Sequence, residues 1–356
     1  MKLLLHGFDS VYCAYFLKPT GRNPLDFGKL AEQQESIRQS KRKNSLPITL
    51  GNADFLLTPY GTKSGYPFVI MNGDFNIQLG EYNKPNFYVQ FYSQALWRES
   101  GYLLHEKFLD WAASVGLTPY RPESLSRVDY CFDYDLPEID FDEDCFKSLS
   151  VKDSKHRGNR KDQTFTFGNG GDIMLRVYDK VAEIKQKSDK VWFYTLWGQD
   201  ADVWRIEYQV RKEVLKDFSI ATFDDLKAQI GDLLRYLATD HTSLRQPNGD
   251  SNSSRWPLHP LWIDLLERIG ELNHLGVSRI HGQNSVLEER MVRMTIAIYG
   301  YLKKVAAVHC VQTDKPLIDV NEALGVIDSR IQELHVPLAW QADVEKRIKE
   351  IRLGQW

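Results

Sequence analysis

The side chains best suited to chemistry lie at alternate positions of three short stretches. In Leu125–Tyr134, Arg127, Asp129, Cys131 and Asp133 alternate with Val128, Tyr130, Phe132 and Tyr134. In Ile173–Lys180, Met174, Arg176, Tyr178 and Lys180 alternate with Ile173, Leu175 and Val177. In Trp204–Arg211, Arg205, Glu207, Gln209 and Arg211 alternate with Trp204, Ile206, Tyr208 and Val210. Successive side chains of a strand point to opposite faces, so each stretch reads as a strand with one polar face. A single such strand signals only a solvated side of an antiparallel sheet. Three together, as neighbours at ~4.8 Å spacing, would gather carboxylates, guanidiniums and a phenol on one surface.

That set has a use. Carboxylate oxygens suit a hard cation such as Mg²⁺ or Mn²⁺. Arginines clamp phosphate oxygens. A tyrosine can attack phosphorus and form a covalent intermediate, and a metal would polarise the scissile phosphate. A phenol has an ordinary pKa near ~10, so Arg176, Lys180 or the metal must help it ionise. Asp129 and Asp133 lie roughly 13 Å apart along an extended strand. One ion cannot readily bridge them, which favours Asp129 with Glu207 and leaves Asp133 the weaker candidate. The chemistry needs the phenol on an open surface.

The elements that must position these residues are legible in outline. Short apolar runs over 54–93, broken by Pro59, Gly61, Gly65, Gly73, Gly80, Asn83 and Pro85, read as an antiparallel meander. Helical spacing appears at 102–116 and again at about 222–240. Strands are expected at 125–134, 163–168, 172–179 and 203–211. Gly168-Asn169-Gly170-Gly171 lacks the Lys-Ser/Thr ending of a phosphate loop and reads as a hairpin turn. Residues 246–257 form a polar linker, and helices are expected at 260–273, 284–309, 318–334 and 340–352. The fold class is therefore α+β: a largely antiparallel sheet with flanking helices over 1–245, the linker 246–257, and a small all-helical domain over 258–356.

Composition bounds the rest. The chain has 356 residues and a formal charge of -3, which excludes a globally basic nucleic-acid coat protein. Local basic runs are the candidates for DNA contact: Arg38 with Lys41–Lys43, and Lys152–Lys161 between two expected strands, with Lys155, Arg157, Arg160 and Lys161 as phosphate contacts. The acidic block Asp133–Asp144 reads as a solvated loop. Cys13, Cys131, Cys145 and Cys310 form no CxxC pair, so neither a zinc site nor a disulfide framework is signalled. No apolar run approaches a membrane span, and Met1–Leu5 is too short for a signal-peptide core, so a cytoplasmic protein is expected.

Arg127-Val128-Asp129-Tyr130-Cys131-Phe132-Asp133, Phe165-Thr166-Phe167-Gly168, Leu175-Arg176-Val177-Tyr178-Asp179-Lys180-Val181-Ala182-Glu183 and Trp204-Arg205-Ile206-Glu207 resemble the replication initiation factor family. This family comprises the Rep-trans initiators of rolling-circle plasmids and phages and related relaxases of conjugative elements. The resemblance is good over about 120–215 and weaker over 55–240. It implies a metal-dependent endonuclease that nicks one DNA strand at an origin, single-stranded or cruciform. A tyrosine matching Tyr178 would become joined to the 5′-phosphate. It implies Asp129 and Glu207 as ligands of Mg²⁺ or Mn²⁺, and Arg176 and Lys180 at the phosphate; the polar faces themselves add Arg205 or Arg127 to steady it. A homodimer and a helicase partner are further implications. The first 50 residues and everything after about 246 match nothing in that pattern.

Two alternatives stand beside this reading. A conjugative-element relaxase would use the same blocks. A non-catalytic DNA-binding protein would use the polar sheet face for phosphate contact alone. Tyr301-Leu302-Lys303-Lys304 fits the helical Tyr-x-x-Lys string of another initiator class, but no His-x-His pair accompanies it and it reads as helix surface. The general base is not visible: Asp179 belongs to the other face and Glu183 lies further along the chain.

Overall fold

The computed structural model of the chain describes residues 1–21, 25–40, 44–150, 152–158, 161–188, 190–276 and 283–352. The strands, in chain order, are β1 (Lys2–Tyr15), β2 (Leu17–Pro19), β3 (Leu46–Leu50), β4 (Ala53–Leu57), β5 (Phe68–Met71), β6 (Phe75–Leu79), β7 (Phe87–Phe91), β8 (Leu117–Pro119), β9 (Ser124–Asp135), β10 (Phe146–Ser148), β11 (Asp153–Gly158), β12 (Lys161–Phe167), β13 (Ile173–Asp179), β14 (Val203–Arg211) and β15 (Thr242–Leu244). Between and after them come α1 (Phe27–Gln39), α2 (Ser93–Arg98), α3 (Gly101–Ser114), α4 (Lys180–Gln186), α5 (Trp192–Trp197), α6 (Lys212–Asp217), α7 (Phe223–Tyr236) and α8 (Pro260–Gly270). The last three helices are α9 (Gln283–Thr313), α10 (Val320–Leu334) and α11 (Pro337–Arg352).

Eleven strands form one sheet in the order β11-β12-β13-β14-β9-β1-β7-β6-β5-β4-β3. Every neighbouring pair is antiparallel. The α+β class holds, and the meander expected over 54–93 is β4 to β7. The three polar-faced strands are neighbours in the order β13-β14-β9. The opening strand β1 lies beside β9, in the middle of the sheet. The segment 152–161, expected between strands, instead contributes β11 and the first residue of β12, because the chain doubles back as an edge hairpin.

Local signals fix how the site strands begin and end. Gly168 closes the β12–β13 hairpin at φ +81°, and a Cβ there would fall 2.2 Å from the Ile173 carbonyl oxygen. Only glycine fits that turn without strain. At the far end of β13, the Asp179 carboxylate accepts the Ala182 N–H at 2.8 Å and starts α4. Thr222 and Asp225 form a capping box that starts α7.

The apolar faces of the site strands form the main core. Val128, Phe132, Tyr134, Val177, Ile206, Tyr208 and Val210 are all buried in it. Each large side chain so buried contributes roughly 1.5–3 kcal/mol. Trp262 of α8 belongs to the same core; its indole N–H donates to the Ala238 carbonyl at 2.7 Å. The Tyr134 hydroxyl donates to Asp264 of α8 at 2.9 Å. Contacts accordingly divide the chain into units of Met1–Ile280 and His281–Trp356. The division falls after α8 and not at the polar segment 246–257, because the apolar stripe of α8 completes the first core.

The second unit has a small core of Leu302, Ile318 and Ala323, with Ala306, Cys310 and Ile327 packed against it. Tyr301 lies exposed on α9 with Lys304 Nζ 5.4 Å from its ring centroid, a helix-surface pair as the sequence suggests. Among the described residues, no helix is long and apolar enough to cross a membrane.

A candidate active site on the polar sheet face

Strand register arranges the polar face in rows. Met174, Gln209, Asp129 and Ser10 lie side by side across β13, β14, β9 and β1. The next row is Arg176, Glu207, Cys131 and Gly7. The third is Tyr178, Arg205, Asp133 and Leu5. Glu207 is therefore central, with Asp129 and Tyr178 on opposite sides of it along one diagonal.

Contacts follow from this grid. The Tyr178 hydroxyl donates to Glu207 Oε2 at 2.7 Å, and Arg176 Nη2 donates to Glu207 Oε1. Arg127 donates twice to Asp129, from Nε at 2.8 Å and from Nη2 at 2.5 Å. Arg127 and Arg176 have side chains that are 30% and 34% exposed, so both can reach outward. Arg176 Nε is buried without a hydrogen-bond partner.

The third row is closed. Arg205 is 0% exposed. It donates to Asp133 from Nε at 2.6 Å and from Nη2 at 2.8 Å, and to Asp9 from Nη1 at 2.8 Å. Asp9 also accepts from Ser93 at 2.8 Å and from Lys190 at 3.2 Å. From α5, the Phe193 ring lies 4.5 Å from the Arg205 guanidinium, and Trp197 donates to Asp133 at 2.9 Å. Lys180 is buried too; its Nζ donates to Glu183 at 2.6 Å and lies 5.6 Å from the Tyr178 ring centroid.

Several expectations change. Arg205 does not face solvent as a phosphate contact would, because two carboxylates and α5 enclose it. Lys180 is likewise held inside by Glu183. Tyr178 is only 6% exposed, so the surface that holds it is not open as the chemistry was expected to need. Asp133 is buried in the ion network and does not belong to a solvated acidic loop. Lys155 pairs across the strands with Phe165, and so lies on the face opposite Tyr178. It contacts Glu143 at 3.5 Å. The backbones of Arg157 and Lys161 lie in β11 and β12, and Arg160 falls outside the described residues, as do Lys41, Arg42 and Lys43. Arg38 donates to the Pro59 carbonyl at 2.8 Å, a loop-fastening role.

Asp9 escaped sequence reasoning altogether. The β1–β9 register shifts between Phe8 and Ser10, placing Asp9 at a bulge. A bulge re-aims one side chain and breaks the alternation by which a polar face is recognised.

The electrostatics are those of a crowded, partly dry site. Burial pushes the Asp129 carboxyl up to about 6, with Glu207 adding to the rise and Arg127 opposing it. Burial also pushes the Glu207 carboxyl up, but Arg176, Arg205 and the Tyr178 hydrogen bond outweigh it and hold the group below the usual range. Burial, then the Glu207 charge, pushes the Tyr178 phenol well above its ordinary value. Burial and the nearby Arg205 charge hold the Lys180 amine down.

Among the described residues, no group of three or more His, Cys, Asp or Glu side chains is placed to hold a metal ion. The donor chemistry nevertheless fits a hard cation: two carboxylates repel one another across a diagonal, and such a cation needs only one or two carboxylates besides water and phosphate oxygens.

No family model matches this chain, and no curated protein matches it. Among solved structures, a rolling circle replication initiator protein from Geobacillus stearothermophilus is 18% identical, with a TM-score of 0.44 over 77% of this chain and 99% of that one. At that distance the likeness decides nothing about this chain.

Proposed function

We propose that this chain is a DNA-nicking and joining enzyme of the rolling-circle initiator kind, with Tyr178 as nucleophile. The observation that carries the reading is the Tyr178–Glu207–Arg176 contact set. A phenol O–H is aimed at a carboxylate oxygen, while an arginine holds the other oxygen.

In this mechanism Tyr178 Oη, positioned by its hydrogen bond to Glu207 Oε2, attacks phosphorus and its proton passes to water. The bond from phosphorus to the 3′ oxygen breaks. That oxygen takes a proton from water and leaves as a free 3′-hydroxyl, while the 5′-phosphate stays on Tyr178. Arg176 and Arg127 turn from their carboxylates to the phosphate oxygens, which their partial exposure permits. Lys180 and Arg205 act from beneath, adding positive charge near the phenol without leaving their partners. Asp129 and Glu207, once released by the arginines, would hold Mg²⁺ or Mn²⁺, which when bound supplies charge to polarise the scissile phosphate. The phenol is covered at rest, with Arg176 beside its ring, so productive binding requires Arg176 to swing away.

The experiment is incubation with single-stranded origin DNA and Mg²⁺ or Mn²⁺, followed by a denaturing gel. A covalent adduct is expected, and Tyr178→Phe should abolish it while DNA binding persists. An adduct that survives Tyr178→Phe means another nucleophile.

The burial of Tyr178, with both carboxylates already engaged, favours a second reading: a non-catalytic DNA-binding protein that uses the polar sheet face for phosphate contact alone. Wild-type protein that binds the DNA yet never forms an adduct would select it. A conjugative relaxase would form the same adduct on a transfer origin instead. A homodimer and a helicase partner belong to the initiator reading as proposals.

A further inference from the structure

The polar face continues past the Asp129 row. In the next row Arg211, Arg127, Tyr12, Gln90 and Asn76 lie side by side across β14, β9, β1, β7 and β6. Tyr88 precedes Gln90 by two residues on β7 and so projects from the same face. Together these side chains make a ladder. The Arg127 guanidinium lies 5.1 Å from the Tyr12 ring centroid, the Tyr12 ring 6.1 Å from that of Tyr88, and the Tyr88 ring 6.4 Å from that of Tyr66. Tyr66 braces the far end: it is buried, and its hydroxyl donates to the Pro85 carbonyl at 3.0 Å. Tyr12 and Tyr88 are half-buried, and Arg211 is exposed. The opposite end of the face is roofed. Phe193 and Trp197 cover the Arg205 row, and a Cβ on Gly7 would fall 3.3 Å from the Trp97 ring of α2. A nucleic-acid strand held at the candidate site therefore has its open path toward Arg127 and Tyr12.

We propose that Tyr12 and Tyr88 are a stacking platform for the single-stranded DNA that flanks the scissile phosphate, with Arg127 and Arg211 on its backbone. This rests on the DNA reading above and gives the strand a path. Every base has a π face, so rings open to solvent hold a single strand whatever its sequence. The charge agrees. Arg127 and Arg211 are direct cross-strand neighbours, an unfavourable pairing of like charges that a phosphate set against both relieves. The row from Arg211 to Asn76 carries no carboxylate. The position agrees as well. Arg127 holds Asp129 and also lies over Tyr12, so it belongs to the candidate site and to the ladder at once.

The test is equilibrium binding of a fluorescein-labelled oligothymidylate of about 16 nucleotides by the full chain without metal, read by anisotropy. All proteins are compared well below their melting temperatures. Wild type should bind. Tyr12→Leu and Tyr88→Leu should each weaken binding about fivefold or more and leave its salt dependence unchanged. Tyr12→Phe and Tyr88→Phe, which keep the ring, should bind as wild type does. Arg211→Gln should instead flatten the slope of log affinity against log salt by about 0.7. Leucine variants that bind as tightly as wild type would overturn the platform and leave the nicking reading standing. Phenylalanine variants that lose as much affinity as the leucine ones would also overturn it, because the hydroxyl and not the ring would then hold the strand. Ring-dependent binding by a wild type that forms no adduct with Mg²⁺ or Mn²⁺ would keep the platform and end the nicking reading. No binding by the wild type would overturn both.

Discussion

Replacing Arg205 by methionine removes a charge that two buried carboxylates depend on. The side chain makes three charge-assisted hydrogen bonds, two to Asp133 and one to Asp9. At about 1.5–3 kcal/mol each, their gross loss is roughly 5–9 kcal/mol. Part is recovered, because Asp9 keeps Lys190 and Ser93 and Asp133 keeps Trp197. The net cost should match that of breaking a buried pair, about 3–5 kcal/mol. For a unit of this size that is a fall in Tm of roughly 6–20 °C. Urea denaturation followed by tryptophan fluorescence measures it. The pH dependence adds a second check. Asp9 is held well below the usual carboxylate range despite its burial, with Arg205 the largest opposing cause. A depressed carboxyl gives stability that is present above its unfolded pKa of about 3.9 and lost as pH falls. The gap between wild type and variant should therefore be widest near neutrality and close below pH ~4. A loss under ~1 kcal/mol, or one that does not vary with pH, would refute the idea that Arg205 is a structural charge rather than a surface phosphate contact.

Three other outcomes are expected. Tyr178→Phe should cost about 1–3 kcal/mol, measured by the same urea midpoint, because Glu207 Oε2 loses its donor. Asp129, with its carboxyl at about 6, binds its proton more tightly folded than unfolded. Its contribution is present below pH ~4 and falls by about 3 kcal/mol as pH rises through 6, a slope that Asp129→Asn should remove from the stability profile. Trp262→Ala should cost about 3–5 kcal/mol in the unfolding of the first unit, and an unchanged midpoint would detach α8 from that core.

Much of this was legible beforehand, for identifiable reasons. β9, β13 and β14 announce themselves because period-two alternation persists through each, and the turn before β13 is chemically explicit at Gly168. Which face was polar therefore followed from the sequence. How that face was covered did not. The roof over Arg205 comes from Phe193 and Trp197, which reach it only through tertiary folding, and burial of Lys180 depends on the same helix. The boundary after α8 was hidden because 246–257 looks like a linker, whereas the decisive fact is the packing of Trp262. β1 and its bulged Asp9 left no signal, since the bulge disturbs the very pattern that reveals a strand.

The central position of β1 bears on how the protein is made. A ribosome completes Lys2–Tyr15 before Phe87–Phe91 and Ser124–Asp135 exist, so the strand must stay unpaired while they are synthesised. Asp9 gains its deepest charge partner only when Arg205 emerges. Pairings so distant in sequence slow folding and prolong the time an apolar strand is available to other chains. Expression at low temperature, or with a chaperone that shields the nascent opening segment, should raise the soluble yield more than tailoring of the later helices would.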